Sequence, residues 1–246
     1  MIPTDHPRAK SLHTRERLVD GFRRGLVVPE GLIAHGRGEA FDYLLGERTS
    51  AVAKQATAAA AAMLLLSKRP VLSVNGNAAA LVPKEIVELA TATDAAIEVN
   101  LFYRTQEREQ AIKDELLRFG ARDVLGVGQG ASARIPELSS ERRRVDPKGI
   151  FVADTVFVPL EDGDRAEALA RMGKKVITID LNPLSRTSRA ASITIVDNLV
   201  RAMPALVKEA EASRGKDKET LQKILSAFDN SENRDRSLMA IRSGTS

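Results

Sequence analysis

Short apolar runs alternate with helical periodicity through the middle of the chain. Residues 71–75, 96–100, 124–127, 156–160, 176–179 and 193–196 are β-branched runs, mostly apolar on both faces, as expected of strands covered by helices on each side. Between them, 84–92 carries Ile86, Val87, Leu89 and Ala90 at helical spacing. Residues 106–119 carry Ile112, Leu116, Leu117 and Phe119 and stop at Gly120; residues 164–172 carry Ala166, Ala168, Leu169 and Met172 and stop at Gly173. This alternation predicts an α/β fold with a doubly wound, parallel sheet.

Both ends of the chain lack strands. Residues 11–24, 37–45 and 51–67 have helical patterns, giving an N-terminal helical layer on the sheet or a small subdomain. Two more helices, 199–212 and 218–228, follow the last strand, and the polar segment 229–246 reads as a flexible tail. The expected organisation is a single domain over 1–228: a helical part (1–68), a sheet core (69–198) and C-terminal helices (199–228).

Composition narrows the chemistry. With 246 residues, 43% hydrophobic, 4% aromatic and no Trp, the chain can bury a sizeable aliphatic core. Absence of Cys excludes disulfides, thiolate metal sites and a thiol nucleophile. Three histidines, His6, His13 and His35, argue against a multi-histidine metal centre. No run of apolar residues is long enough to span a membrane, and the N-terminus has no apolar region behind its charges. The expected location is therefore cytoplasmic. A net charge of +4 suits an enzyme handling phosphates; without basic runs interleaved with aromatics, no nucleic-acid partner is expected.

No Walker A pattern occurs, which disfavours a P-loop kinase. Gly126, Gly128 and Ala131 fit G-x-G-x-x-A, but Pro136 interrupts the helix that a dinucleotide pyrophosphate requires, so a Gly-rich loop is expected and not an NAD site. Gly36 and Gly38 flank Arg37 just before a helical pattern. Such a turn would bring backbone N–H groups and a guanidinium to one point, suited to a phosphate or carboxylate; the alternative is a plain inter-helix turn. Arg8, Lys10, Arg15, Arg17, Arg23 and Arg24 form cationic helix faces, mostly solvated.

Ligands of parallel sheets sit beyond the carboxyl ends of the strands. Those ends are polar here: Asn75-Gly76-Asn77, Asn100, 161–165, Asp180-Leu181-Asn182 and Asp197-Asn198. Within 161–165, Glu161, Asp162 and Asp164 precede a helix. Asp164 and Asp162 suit a cap and a turn; the competing role is a water-mediated Mg²⁺ site. Residues 180–189 offer Asp180, hydroxyls and Arg186 and Arg189, a mix that fits a nucleotide or simply a polar turn.

The stretches DHPRAKSL with TRE, GLIAHGRGEAFDYLLGERT, VLSVNGNAAALVP, EVNLF, VPLEDGDRAEALARMGKKVITIDLNPLSRT and ITIVDN together resemble the archaeal-type phosphopantothenate synthetases, the 4-phosphopantoate–β-alanine ligases. The resemblance runs from about residue 2 to about residue 212. The loop 126–146 matches none of its blocks, and the segment beyond residue 215 lies outside it.

That resemblance implies a Rossmann-like homodimer that uses ATP and Mg²⁺ in coenzyme A biosynthesis. It assigns Arg15, Arg37, Asp180, Leu181, Asn182, Arg186, Thr187, Asp197 and Asn198 to ATP. Arg8, Asn75 and Asn77 are candidates for the substrate, Asp162 and Asp164 for the metal, and Arg37, His35 and Asn75 for catalysis. The implied reaction activates the 4-phosphopantoate carboxylate as an acyl adenylate, which β-alanine then captures. His35 has the pKa range of a general base for that amine, with a hydrogen-bonded turn histidine as the alternative. Rival readings are a nucleotide-dependent kinase, another acyl-adenylate ligase on the same fold, or a non-catalytic nucleotide-binding module.

Overall fold

The computed structural model describes residues 3, 5–6, 8–136, 138–160 and 162–244. In chain order its elements are α1 (Ala9–Arg23), α2 (Pro29–Leu45), α3 (Ala51–Leu66), β1 (Pro70–Val74), α4 (Gly76–Leu81), α5 (Pro83–Thr93), β2 (Ala96–Val99) and α6 (Gln106–Arg118). Then come β3 (Ala133–Arg134), β4 (Arg144–Val145), β5 (Thr155–Phe157), α7 (Gly163–Arg171), β6 (Lys175–Ile179), α8 (Arg186–Ala190), β7 (Ile193–Ile195), α9 (Leu199–Ser213), α10 (Lys218–Ser226) and α11 (Asn230–Ser243). The main sheet is parallel in the order β2-β1-β5-β6-β7, a mixed α/β, Rossmann-like arrangement; β3 and β4 form a small antiparallel ladder outside it.

Strand side chains alternate between two cores, as a pleated sheet requires. Leu72, Val74, Phe157, Ile177 and Ile179 join the cluster built with α1, α3, α5 and α9. Val71, Val156, Val158 and Val176 join the other, built with α7 and Ile135, Val145 and Ile150. Ile177 and Val156 are wholly buried, and truncating such a side chain to Ala costs about 2–5 kcal/mol. The Ala-rich α3 lies against α9; Ala56, Ala60 and Ala61 are fully buried, because methyl-sized side chains let helix backbones approach.

The strand order reverses between β1 and β5, where the chain leaves β2 on one side and returns on the other. Such a switch point opens a crevice beyond the strand ends. Here Asn75 bridges it: its Nδ2 donates to Pro159 O (2.8 Å) while its Oδ1 accepts from Ala78 N (3.0 Å) and caps α4. Next to it Leu160 has φ of 53°, a left-handed conformation that costs a non-glycine residue about 1–3 kcal/mol.

Three expectations are corrected. Residues 124–127 do not form a strand. Leu125 makes one parallel bridge with Glu98, then Gly126, with φ of 77°, turns the chain away. Gly36-Arg37-Gly38 is not a turn before a helix but lies inside α2, so its amides are spent within the helix. The segment from Asp229 is not a flexible tail. Asp229 caps α11 by accepting from Glu232 N (2.7 Å), and Asn233 and Ser237 are buried against the body of the protein.

Candidate functional site

Beyond the carboxyl ends of β1, β5, β6 and β7 lies a cavity of about 910 Å³, covered by α2. Glycines in α2 allow that close cover. A Cβ on Gly31 would sit 2.3 Å from Asn77 Oδ1, and one on Gly38 would sit 3.1 Å from Asn198 Nδ2. The two glycines are about 10 Å apart along the helix axis, so α2 reaches from the β1 side of the cavity to the β7 side. Asn77 fastens the first end by donating to Gly31 O (2.8 Å). The second end is held by Arg201, which donates to Asp42 Oδ1 (2.6 Å) and Asp197 Oδ1 (2.7 Å), and by Asn198 Nδ2 to Asp42 Oδ2 (3.1 Å).

The β6–β7 side is polar and preformed. Asp180 follows β6; its Oδ1 accepts from Asn182 N (3.0 Å) and its Oδ2 from the Ser185 hydroxyl. Asn182 Oδ1 accepts from Leu184 N (2.9 Å), which shapes the Asn-Pro turn. Asp180, Leu181, Asn182, Ser185, Arg186, Thr187 and Asn198 all line the wall. Arg186 reaches Glu167 through two hydrogen bonds (2.9 and 2.7 Å), and that pairing raises its pKa.

Two α2 side chains face the cavity uncommitted. Arg37 makes no hydrogen bond or ion pair among the described residues, so its full charge is available on the wall. His35 Nε2 is buried without a hydrogen-bond partner; burial lowers the pKa of this ring, outweighing the nearby Glu39 carboxylate. A neutral imidazole with an open nitrogen can accept a proton from a bound ligand.

Other expected site residues stand elsewhere. Arg15 is off the wall, paired through two hydrogen bonds with Glu39, and Arg8 is 4.0 Å from the same carboxylate. Asp197 is buried behind the wall at 1% exposure, accepting from Thr49 Oγ1 (2.6 Å) as well as Arg201, and burial raises its pKa despite those partners. It anchors the site and does not face the cavity. Asn75 lines the wall, but both ends of its amide are committed to the β1–β5 bridge. Asp162 is on the wall with its Oδ2 at 2.7 Å from Arg142 Nε, whereas Asp164 lies off it, accepting from Arg165 N (2.9 Å). Glu161 lies outside the described residues.

On the β1–β2 side the sequence pointed to Asn75 and Asn77, which line the wall, but not to its cations and aromatics. Phe102, Tyr103 and Arg108 line it together with Arg142, and Leu238 and Ile241 of α11 also reach the wall. Arg108 sits in an amphipathic helix otherwise rich in solvated charge, and Arg142 in the loop that fitted no pattern. Leu238 and Ile241, three apart in a polar segment, were the one legible signal of a packed helix.

Residues 52–244 match the family described as phosphopantothenate/pantothenate synthetase. The chain is 53% identical over 242 residues to a 4-phosphopantoate–beta-alanine ligase of Thermococcus kodakarensis, covering 98% of this chain and 92% of the relative. It is 54% identical over 229 residues to the enzyme of that name from Methanosarcina mazei, covering 93% and 89%. With that of Methanospirillum hungatei it shares 52% over 208 residues, covering 85% and 84%. The family match extends through α11, so the likeness does not stop near residue 215 as the sequence blocks had suggested.

Proposed function

The chain belongs to the phosphopantothenate/pantothenate synthetase family, and on that premise we propose that it condenses 4-phosphopantoate with β-alanine, using ATP, to give 4′-phosphopantothenate for coenzyme A. The observation that carries this reading is the cavity itself. One large space has a hydroxyl- and amide-rich wall on the β6–β7 side, cations on the β1–β2 side, and Arg37 and His35 between them on the covering helix. Two ligands brought end to end in such a space react as an intramolecular pair.

A carboxylate is a poor acyl donor because oxide is its leaving group. In the proposed route a carboxylate oxygen of 4-phosphopantoate attacks the α-phosphorus of ATP, and pyrophosphate departs. The amine of β-alanine then attacks the acyl carbon, AMP departs, and one proton leaves the nitrogen. ATP is assigned to the wall of Asp180, Leu181, Asn182, Ser185, Thr187 and Asn198, with Arg186 at its edge. Arg37, free of any anion, neutralises charge that develops at the phosphates. His35 takes the amine proton, which a neutral ring with an open Nε2 supports. Arg15, Arg8 and Asp197 support α2 and the loop behind the wall.

The residues present do not fit a protein-held Mg²⁺. Asp162 is engaged by Arg142, Asp164 is off the wall, and no group of three or more His, Cys, Asp or Glu able to hold a metal exists among the described residues. A divalent ion carried by the phosphates is compatible with this wall, and no step here depends on it. No helix among the described residues is long and apolar enough to cross a membrane; a cytoplasmic enzyme is proposed. Homodimerisation is proposed too, supported by Ile33 and Tyr43 standing exposed on α2.

The test is incubation with ATP, Mg²⁺, 4-phosphopantoate and β-alanine, with products resolved by mass and nucleotide chromatography. AMP appearing in step with phosphopantothenate is the expected result. ADP with phosphopantothenate would replace the adenylate by an acyl phosphate, and no turnover would refute the ligase. Arg37→Ala should lower kcat about 100-fold, the usual loss of one donor to developing charge. A loss under about threefold would remove Arg37 from the chemistry.

A further inference from the structure

On the β1–β2 side of the cavity one cation is held in place without an ion-pair partner among the described residues; Glu30, also on the wall, attracts it across space but makes no ion pair with it. Arg108, in the first turn of α6, donates through Nε to Leu26 O (3.0 Å) and through Nη1 to Tyr103 O (2.6 Å). Both acceptors are neutral carbonyls, and no carboxylate pairs with this guanidinium among the described residues. Arg142 lies near enough to repel it; burial, with that repulsion, pushes the Arg108 pKa down to about 10. Arg142 itself is engaged with Asp162 (2.7 Å) and Asn100 O (3.2 Å).

Two carbonyls orient Arg108 without cancelling its charge, an arrangement that costs desolvation until an anion arrives. Its Nη2 makes no hydrogen bond among the described residues. That nitrogen lies against Gly76, where a Cβ would be 2.5 Å from Nη2 and 2.1 Å from Leu26 O. Only glycine admits the guanidinium here. The free edge borders the cavity beside Asn77, across from the wall assigned to the nucleotide.

We propose that Arg108, with Arg142 beside it, receives the phosphate monoester of the hydroxy-acid substrate and selects the phosphorylated acid over the free alcohol. This deepens, and rests on, the ligase reading. A phosphate and a carboxylate at opposite ends of one short molecule are then held apart: the phosphate on the β1–β2 side, the carboxylate toward Arg37 and the nucleotide. A guanidinium fixed by two of its nitrogens presents a planar donor edge, which suits phosphate oxygens. A site built this way leaves a half-buried cation unmatched when the phosphate is missing, and so rejects the unphosphorylated acid.

Calorimetric titration of the full chain with each ligand separately tests this without requiring turnover. Arg108→Met should weaken 4-phosphopantoate binding about 10- to 100-fold, the range for a lost charged hydrogen bond, with ATP binding within about twofold of wild type. Arg108→Lys should recover part of the loss, and Arg108→Met should narrow the preference for 4-phosphopantoate over unphosphorylated pantoate by binding pantoate at least as tightly as wild type does. Because Arg108 also tethers two carbonyls, a measurement on the unaltered protein stands beside the variants: inorganic phosphate should compete with 4-phosphopantoate and not with ATP. Weakened ATP binding with unchanged 4-phosphopantoate binding, or phosphate competing with ATP alone, would overturn the proposal. So would a wild-type protein that binds pantoate as tightly as 4-phosphopantoate. If wild type binds 4-phosphopantoate through Arg108 yet forms no phosphopantothenate, the phosphate subsite stands and the ligase reading falls.

Discussion

Two glycine pairs that look alike in the sequence do unlike work. Gly36 and Gly38 flank Arg37 within α2, in ordinary helical backbone. Gly126 and Gly128 follow the Leu125 bridge with φ of 77° and 55°. At Gly126 the backbone needs the left-handed region, and the space is already filled: a Cβ would be 2.6 Å from both Glu98 Cγ and Val99 O. In α2 only the space matters, and only at one member of the pair. Gly38 approaches Asn198 across the cavity edge, whereas nothing lies within 4 Å of a Cβ on Gly36. A glycine pair therefore reports a constraint, and only the neighbours say whether it is conformational, steric or absent.

Substitutions can break this comparison in order of expected size. Gly126→Ala should cost about 2–5 kcal/mol, combining left-handed strain with overpacking; a shift in denaturant midpoint worth less than about 1 kcal/mol would show that the turn relaxes freely.

Next is the carboxylate under that turn. Glu98 is fully buried and accepts from Asp146 N (2.9 Å) and Ile150 N (2.6 Å), yet burial pushes its pKa from 4.5 up to about 7. The folded group thus holds its proton more tightly than the unfolded one. Its contribution to stability is complete below about pH 4.5 and is lost as pH rises through about 7, by about 3 kcal/mol. Unfolding measured at about pH 5 and about pH 8 should show this loss in wild type relative to Glu98→Gln. Equal pH dependence in the two proteins would mean that the backbone donors keep Glu98 ionised throughout.

The α2 pair gives the smallest effects on stability and the sharpest contrast. Gly36→Ala should stabilise by about 0.5–1 kcal/mol, the helix preference of Ala over Gly, with unchanged kinetics. Gly38→Ala gains the same preference but presses on Asn198, so stability should change by less than about 1 kcal/mol while the KM for ATP rises. Identical KM values for the two variants would mean that Asn198 does not bear on the nucleotide.

The same contrast explains what was legible beforehand. Strands at β1, β2, β5, β6 and β7 followed from short β-branched runs, because a strand buried on both faces has no other way to look. The polar strand ends at Asp180-Leu181-Asn182 and Asn198 followed from the geometry of parallel sheets, and the cavity gathers them. Residues 124–127 misled because Val124, Leu125 and Val127 satisfy a strand pattern that one left-handed glycine interrupts. The segment 229–244 misled because its average polarity hides two wall residues, Leu238 and Ile241, on one face of α11.

Local sequence determined the alternation of strands and helices, the aliphatic core, the caps at Ser50, Thr105 and Asp217, and the polar character of the strand ends. Each depends on residues near one another in the chain. Tertiary structure alone decided which charges face the cavity. Arg15, Arg37, Arg108, Arg142 and Arg186 are equivalent as letters, yet Arg15 and Arg186 are matched by Glu39 and Glu167, Arg142 by Asp162, and Arg37 and Arg108 by no carboxylate among the described residues. Glu39 and Glu167 lie 24 and 19 residues from their partners. The charge of a site is a sum over neighbours in space, which the chain order does not contain.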